Sequence, residues 1–136
     1  MIDVMLSRIV LRDGAPQQYI FLSELEGPRS FPIVIGQNEA LEIHRVVHGV
    51  EVERPLTHQL AYAAIQALGG TIDSVDIVDL KKNTFYARIQ LLGQDAAPAG
   101  ALDARPSDAI ALALRAKCKI RVAEEVLVRA TDTSAS

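Results

Sequence analysis

The sequence predicts a single α+β domain in which a mainly antiparallel or mixed β-sheet packs with about three helices. Three observations lead to this fold class. Short apolar segments are separated by turns rich in Gly, Pro and Asn, which is typical of strands. Segments with helix start and stop signals lie among these strands. One of these helices, at residues 105–115, contains six consecutive apolar residues, and a helix that is apolar on every side must be largely buried.

The size and composition fit one domain. A chain of 136 residues, 49% of them apolar and 23% charged, is long enough to bury a core of its own. We assign residues 1–130 to this domain and residues 131–136 to a disordered C-terminal tail. Tryptophan is absent and aromatic residues make up only 4%, so the core must be built from aliphatic side chains. These apolar strands favour a homodimer as the expected assembly.

The N-terminal third predicts an antiparallel meander. Residues 2–11, 17–25 and 30–35 are rich in apolar and β-branched side chains, and each is typical of a strand. The two links between them, at 12–16 and 26–29, carry Asp, Gly and Pro and are too short for a crossover. Consecutive strands with such links pair with their neighbours.

Two helices follow this meander. The first begins at Asn38, which we expect to be its cap, and runs to about His48 before Gly49. The second is predicted for residues 54–68, because an Arg-Pro start is followed by an Ala-rich segment and then by two glycines.

The C-terminal half predicts a second set of elements around the apolar helix. In chain order they are a hairpin of strands 72–80 and 85–92 around a turn at 81–84, a mobile loop at 93–100, the buried helix from Arg105, a strand at 117–122 and a helical turn at 124–129.

Charge and cysteine content limit the function classes. The net charge of −3 and the pI near 5.6 argue against tight binding to nucleic acid through bulk charge, although they leave room for a local basic patch. Cys118 is the single cysteine, which excludes an internal disulfide and a zinc site built from cysteines. The sequence begins without a signal-like segment and contains no run long enough to cross a membrane. We therefore expect a cytoplasmic protein with no membrane partner.

The start of the apolar helix carries the first candidate site. Arg105 precedes a proline that suits the first helical position, and Ser107 and Asp108 place oxygens in the first turn. Such a segment is either an ordinary capped helix start or an anion site, because free N–H groups at helix starts bind phosphate.

A second candidate site lies at the other Arg-Pro segment. Arg54, Thr57 and His58 are crowded at one helix start, where arginine could bind a phosphate and histidine could act as a general base. Alternatively, Thr57 is only a cap and His58 a solvated first-turn residue.

A third group of charges alternates along the last predicted strand. Lys117, Lys119 and Arg121 would share one face of a strand and form a basic ridge that follows a phosphate backbone. The alternative is that these charges protect an edge strand from unwanted pairing. For metals the signals are weaker, because His44 and His48 have only a helical spacing in common and no carboxylate pair adjacent in sequence makes a two-metal site.

Three motifs in a fixed order identify a family. They are FPIVIGQNEA at residues 31–40, RPLTHQL at 54–60 and RPSDAIALA at 105–113. With this order and spacing the chain resembles the bifunctional nuclease domain family from about residue 2 to residue 130. Gln59 stands where members of this family commonly have an acidic residue.

The resemblance implies a compact α+β domain with activity on DNA and RNA, that is, a phosphodiester hydrolase. It implies that His58 acts as base or acid, that Asp108 and Glu39 orient water or a divalent metal such as Mg²⁺ or Mn²⁺, and that Arg54 and Arg105 bind phosphate. The polar motif positions of the family correspond here to Glu39, Arg54, Thr57, His58, Arg105, Ser107 and Asp108. The alternative function is a non-catalytic binding or assembly module in which the Arg-Pro motifs are structural.

Overall fold

Two antiparallel meanders, joined through one central strand, form a seven-stranded sheet. The structure is a computed structural model, and it describes residues 1–131. Within that range the elements are β1 Ile2–Val10, β2 Gln17–Glu24, β3 Ser30–Gly36, α1 Gln37–His48, α2 Thr57–Ala67, β4 Thr71–Lys81, β5 Thr84–Leu92, a 3-10 turn Gln94–Ala96, β6 Pro98–Ala104, α3 Pro106–Ala116, β7 Lys119–Val122 and α4 Glu124–Thr131.

The strand order is β3-β2-β1-β7-β4-β5-β6. β7 lies in the middle of the sheet, where it pairs antiparallel with β1 and parallel with β4. All other neighbouring strands are antiparallel, as expected for hairpin-connected meanders. The predicted α+β class with a mixed sheet is therefore confirmed, and so is the N-terminal meander.

Alternating side chains of the sheet build the core on one of its faces. Val75 and Ile77 of β4 lie opposite Ile120 and Val122 of β7, and all four are buried. Helix α3 packs against this part of the sheet, and its residues from Ala109 to Ala113 are all buried. The prediction of a central buried helix is confirmed, because a helix that is apolar on all sides needs neighbours on all sides.

One sequence-based assignment is wrong between residues 93 and 104. The predicted mobile loop at 93–100 contains the 3-10 turn and the first residues of β6, which pairs with β5 at the edge of the sheet. Pro98 is tolerated because it is the first residue of an edge strand. Gly100 adopts a φ of +121°, which only glycine takes readily.

The starts of α1 and α2 also differ from prediction. Gly36, not Asn38, is the residue that precedes the first turn of α1, and Leu56, not Thr57, has this position in α2. The end of α1 is as predicted: Gly49 has a φ of +64°, and its N–H donates to the Val46 carbonyl.

The C-terminal end of the domain is more helical than predicted. α4 extends through Thr131, so this first residue of the predicted tail belongs to a helix, and the rest of that tail, residues 132–136, lies outside the described residues. In residues 1–131 every helix is too short or too polar to span a bilayer.

The topology contains a repeated unit that positions the candidate site. Each meander is followed directly by a helix, β1–β3 by α1 and β4–β6 by α3, and these two helices pack against each other. Glu39 is the third residue of α1 and Asp108 is the third residue of α3. Equivalent positions of the two units therefore carry the two carboxylates that the sequence singles out.

Candidate functional site

Side chains from three helix starts meet at one place on the surface. Glu39 comes from α1, His58 from α2, and Arg105 and Asp108 from α3. We call these four residues the helix-start cluster. All four are among the residues that the sequence predicts for the site, and they are up to 69 residues apart in the chain.

His58 and Asp108 form the shortest contact in the cluster. His58 Nε2 lies 2.7 Å from Asp108 Oδ1. A carboxylate only accepts hydrogen bonds, so Nε2 carries the proton of this contact, and in the neutral ring the other nitrogen, Nδ1, is then an acceptor. Within the described part of the chain, Nδ1 has no hydrogen-bond partner. The contact therefore orients the ring and leaves one basic nitrogen open, while His58 keeps 19% of its side chain exposed.

Arg105 links the two carboxylates. Its Nε donates to Asp108 Oδ2 at 2.9 Å, and its Nη2 donates to Asp108 Oδ1 at 3.2 Å. Its Nη1 lies 3.3 Å from Glu39 Oε1. A guanidinium has five N–H groups, so these contacts leave about two donors for another acceptor. Since 66% of the Arg105 side chain is exposed, these donors are accessible to a ligand.

The electrostatics keep this part of the cluster ionised. Partial burial raises the pKa of Asp108, but hydrogen bonds from Arg105 and His58 outweigh it, and the net pKa lies below the ordinary value of 3.8. The hydrogen bond to Asp108 raises the pKa of Arg105 further. At neutral pH the pair is therefore a carboxylate and a guanidinium.

Backbone N–H groups at the helix starts are further donors next to the cluster. In residues 1–131 no side chain caps the start of α1 or of α3, so their first-turn N–H groups are left for another acceptor. The carboxylate of Glu39 lies beside Gly36 at the start of α1, in the space that a Cβ at position 36 would occupy, and a larger residue there would require this flexible side chain to move. Glycine thus lets Glu39 fold back over its own helix start.

Gln59 has a structural role that sequence reasoning missed. Its Oε1 accepts the N–H of Leu56 at 2.7 Å, which is one half of a capping box. Glutamine and glutamate both offer an oxygen at this point, so the amide in place of the family's usual acid keeps this contact. The sequence contains a signal for this role, because the third residue of a helix is where a side chain is expected to accept the N–H of the residue before the helix.

Three predicted phosphate-binding residues lie close to the cluster without joining its contacts. Arg54 and Thr57 are exposed beside the start of α2. Ser107 is buried two residues after Arg105, and both residues line a cavity of about 660 Å³. Their roles stay predictions.

The predicted basic ridge does not form. β7 begins at Lys119, whereas Lys117 ends α3 with a left-handed φ of 55°. α3 has eleven residues and so spans about 16 Å, which places Lys117 and Lys119 at the opposite end of the helix from Arg105. Both lysines line a separate, largely apolar cavity of about 930 Å³.

Arg121 is engaged in an ion pair within the sheet, and its role as a phosphate ligand stays a prediction. Its Nε and Nη2 each lie 2.8 Å from a carboxylate oxygen of Asp76, whose side chain is only 5% exposed. The edge-protection alternative is also wrong, because β7 lies inside the sheet. Charge alternation alone does not reveal that an acidic partner stands directly opposite Arg121 in β4.

The described residues do not form a ready metal site. No group of three or more His, Cys, Asp and Glu side chains in residues 1–131 is arranged to bind a metal ion. The guanidinium of Arg105 lies between Glu39 and Asp108, so these two carboxylates would have to leave it to share a metal ion. The rings of His44 and His48 are in contact, with centroids 4.1 Å apart and planes tilted by 43°, at the far end of α1 from the cluster.

The fold and this cluster define a class of protein: a mixed-sheet α+β domain with arginine, histidine and two carboxylates at converging helix starts. The model of the bifunctional nuclease domain matches residues 20–134, and the chain therefore belongs to that family. This confirms the resemblance seen in the three motifs.

Similar proteins have the same region within longer chains. The uncharacterized proteins MT1877 and Rv1829 of Mycobacterium tuberculosis are each 44% identical over 114 residues, which cover 84% of this chain and 66% of theirs. Bifunctional nuclease 1 of Oryza sativa is 27% identical over 115 residues, which cover 82% of this chain and 34% of the rice protein. The chain thus spans just under two thirds of the mycobacterial relatives and about a third of the plant one.

Proposed function

We propose that this domain hydrolyses phosphodiester bonds of nucleic acid, with His58 as the general base and then the general acid. The observation that carries the proposal is the 2.7 Å contact between His58 Nε2 and Asp108, which fixes the tautomer and leaves Nδ1 open. The family and the name of the rice relative support the same class of reaction.

The reaction would proceed through proton transfer at Nδ1. His58 Nδ1 takes a proton from the attacking water. In RNA the 2′-hydroxyl can attack first, and water then opens the 2′,3′-cyclic phosphate that results. The new P–O bond forms as the bond to the leaving oxygen breaks, and the imidazolium returns its proton to that oxygen. Asp108 stabilises the imidazolium in between, in the way that a carboxylate supports a catalytic histidine in other hydrolases.

Arg105 would bind the phosphate. Its remaining N–H groups and the free N–H groups at the starts of α1 and α3 are donors for non-bridging oxygens, on which negative charge increases in the transition state. Glu39 holds Arg105 from the opposite side to Asp108. Arg54, Thr57 and Ser107 are proposed as further phosphate contacts, and no step is assigned to a metal ion.

The test compares two histidine variants purified identically. Labelled single-stranded RNA and double-stranded DNA are incubated with wild type, His58→Ala and the matched control His48→Ala, each with Mg²⁺, Mn²⁺ or EDTA. We expect cleavage by wild type and by His48→Ala, and a loss of about 10²- to 10⁴-fold in His58→Ala. Equal cleavage by all three would indicate a contaminant and would refute the role of His58.

The alternative function, a non-catalytic binding or assembly module, is favoured by one observation. Arg105 bonds to both Glu39 and Asp108 and so ties α1 to α3 irrespective of any substrate. In this case wild type would cleave nothing under any of the three conditions. A homodimer stays a prediction under either function, and sedimentation analysis of the purified chain checks it.

A further inference from the structure

A cavity adjoins the helix-start cluster and shares Arg105 with it. Its volume of about 660 Å³ is in the range of sites for small organic ligands. It lies between the end of β3, the β4–β5 hairpin and the start of α3. Among the described residues that line it, Arg105 is the only charged one.

The walls of this cavity suit a flat, heteroaromatic group. Phe85, Leu80 and Ile35 supply apolar surface, and the Phe85 ring packs on Phe31 with a centroid distance of 5.5 Å. Amide and hydroxyl groups of Asn83 and Thr84 lie in the same lining, where they could meet polar edges. The lining includes residues of two of the three family motifs, those at 31–40 and 105–113, but these segments are far apart in the chain, and only the fold brings them together.

We propose that this cavity takes one unstacked base of a single-stranded nucleic acid whose phosphate is bound by Arg105. The proposal rests on the proposed function and names the substrate class of that site. A base offers two apolar faces and a polar edge, and its phosphate lies within one nucleotide of it. The described lining of the cavity matches these parts: apolar walls for the faces of the base, polar groups for its edge, and Arg105 as the single cation for the phosphate.

Charge explains why the base must contribute to affinity. A domain with a net charge of −3 has little bulk attraction for a polyanion. Arg121 is used in an ion pair, and Lys117 and Lys119 lie at the far end of α3. Burial and stacking of a base are sequence-tolerant sources of affinity that need no basic surface.

The same geometry disfavours a duplex. Bases in a duplex are stacked and paired, and one of them would have to leave the helix to enter the cavity at a cost in unpairing and unstacking. A single strand has largely free bases and avoids this cost. The preference for single strands is therefore a property of the cavity, whereas cleavage is a property of the helix-start cluster.

The experiment measures binding separately from cleavage. Fluorescence anisotropy compares a short labelled DNA single strand, the same strand in a duplex, and a single strand of equal length with abasic sites in place of its bases. A gel run after each titration verifies that the labelled strand is intact. The abasic strand keeps every phosphate and lacks only the groups that the cavity would bind. The proteins are wild type, Phe85→Leu and the control Phe21→Leu, in which a half-buried phenylalanine on β2 outside this lining is changed in the same way.

We expect wild type to bind the intact single strand about tenfold more tightly than the abasic strand or the duplex. Phe85→Leu should lose most of this difference while binding the abasic strand as wild type does, and Phe21→Leu should keep it. Equal binding of intact and abasic strands by wild type would overturn the base cavity, whether or not the variants fold.

The outcomes also separate this inference from the proposed function. If wild type binds none of the three oligonucleotides and cleaves neither substrate, the proposed function falls and the base cavity with it. If wild type cleaves with dependence on His58 but binds duplex as tightly as single strand, only the base cavity is overturned.

Discussion

Two of the aspartate–arginine pairs in residues 1–131 have similar local geometry and different surroundings. In both pairs one arginine donates two hydrogen bonds to one aspartate, Arg121 to Asp76 in the sheet and Arg105 to Asp108 at the helix-start cluster. The side chain of Asp76 is 5% exposed, whereas that of Asp108 is 30% exposed. The two pairs therefore have similar hydrogen bonds but differ in burial.

Their remaining partners differ as well. Asp76 accepts from Ser74 at 3.1 Å and from Gln90 at 3.2 Å, and neither of these groups titrates near neutral pH. Asp108 accepts from His58, whose other ring nitrogen is open. Asp76 therefore has hydrogen bonds only from donors that keep their protons, and it stabilises the fold. Asp108 instead holds the ring of His58, which can take up a proton.

The largest expected effect on stability comes from breaking the Arg121–Asp76 ion pair in the sheet. Arg121→Ala leaves the carboxylate of Asp76 buried without its cation, and we expect a loss of about 3 kcal/mol in the free energy of unfolding. The corresponding change at the helix-start cluster, Arg105→Ala, should cost less than about 1 kcal/mol, because that arginine is mostly exposed. Urea denaturation of both variants and wild type measures the difference.

A double variant serves as the control for this comparison. Asp76→Asn combined with Arg121→Ala removes the buried charge as well as its partner, so it should recover part of the lost stability. Equal losses for Arg121→Ala and Arg105→Ala would contradict the distinction between a structural and a functional pair.

A smaller effect is expected at Gln59, which fixes the start of α2 next to His58. Gln59→Ala leaves the N–H of Leu56 without its acceptor and should cost about 1 kcal/mol, whereas Gln59→Glu should stay close to wild type. Gln66→Ala, at an exposed glutamine near the end of the same helix, is the matched control. Thermal unfolding of the three variants measures this; a Gln59→Ala protein as stable as Gln66→Ala would show that the contact contributes nothing.

Local patterns predicted most of the fold because each element carries its own signals. The apolar run of α3 and the glycine that ends α1 act within a few residues, and both were predicted. β6 was missed because its residues are small and mostly exposed and it is held by pairing with β5, which is a tertiary effect. The sequence contains no local trace of that pairing.

The same distinction between local signals and tertiary contacts applies to the candidate site. Residues at helix starts, such as His58 and Asp108, could be singled out because position and residue type coincide there. Their contact joins residues 50 apart and follows only from the packing of α2 on α3. The basic ridge was predicted wrongly because alternation shows which residues share a face, and not that Asp76 lies opposite Arg121.

The smallest effect tests the ionisation of Asp108 through the pH dependence of stability. Its pKa in the folded protein is below the ordinary value of 3.8, so it stabilises the fold fully above that value and loses this contribution as the pH falls through its folded pKa. Asp108→Asn cannot titrate at this position, so its melting temperature should fall less steeply than that of wild type below about pH 4. Glu24, Asp79 and Glu124 also have pKa values lowered by arginine partners, but they are present in both proteins and cancel in the comparison. Because the pair is partly exposed, we expect the difference in stability to be about 1 kcal/mol or less. If the melting temperatures of the two proteins fall equally steeply below about pH 4, the bonds from Arg105 and His58 do not favour the carboxylate in solution.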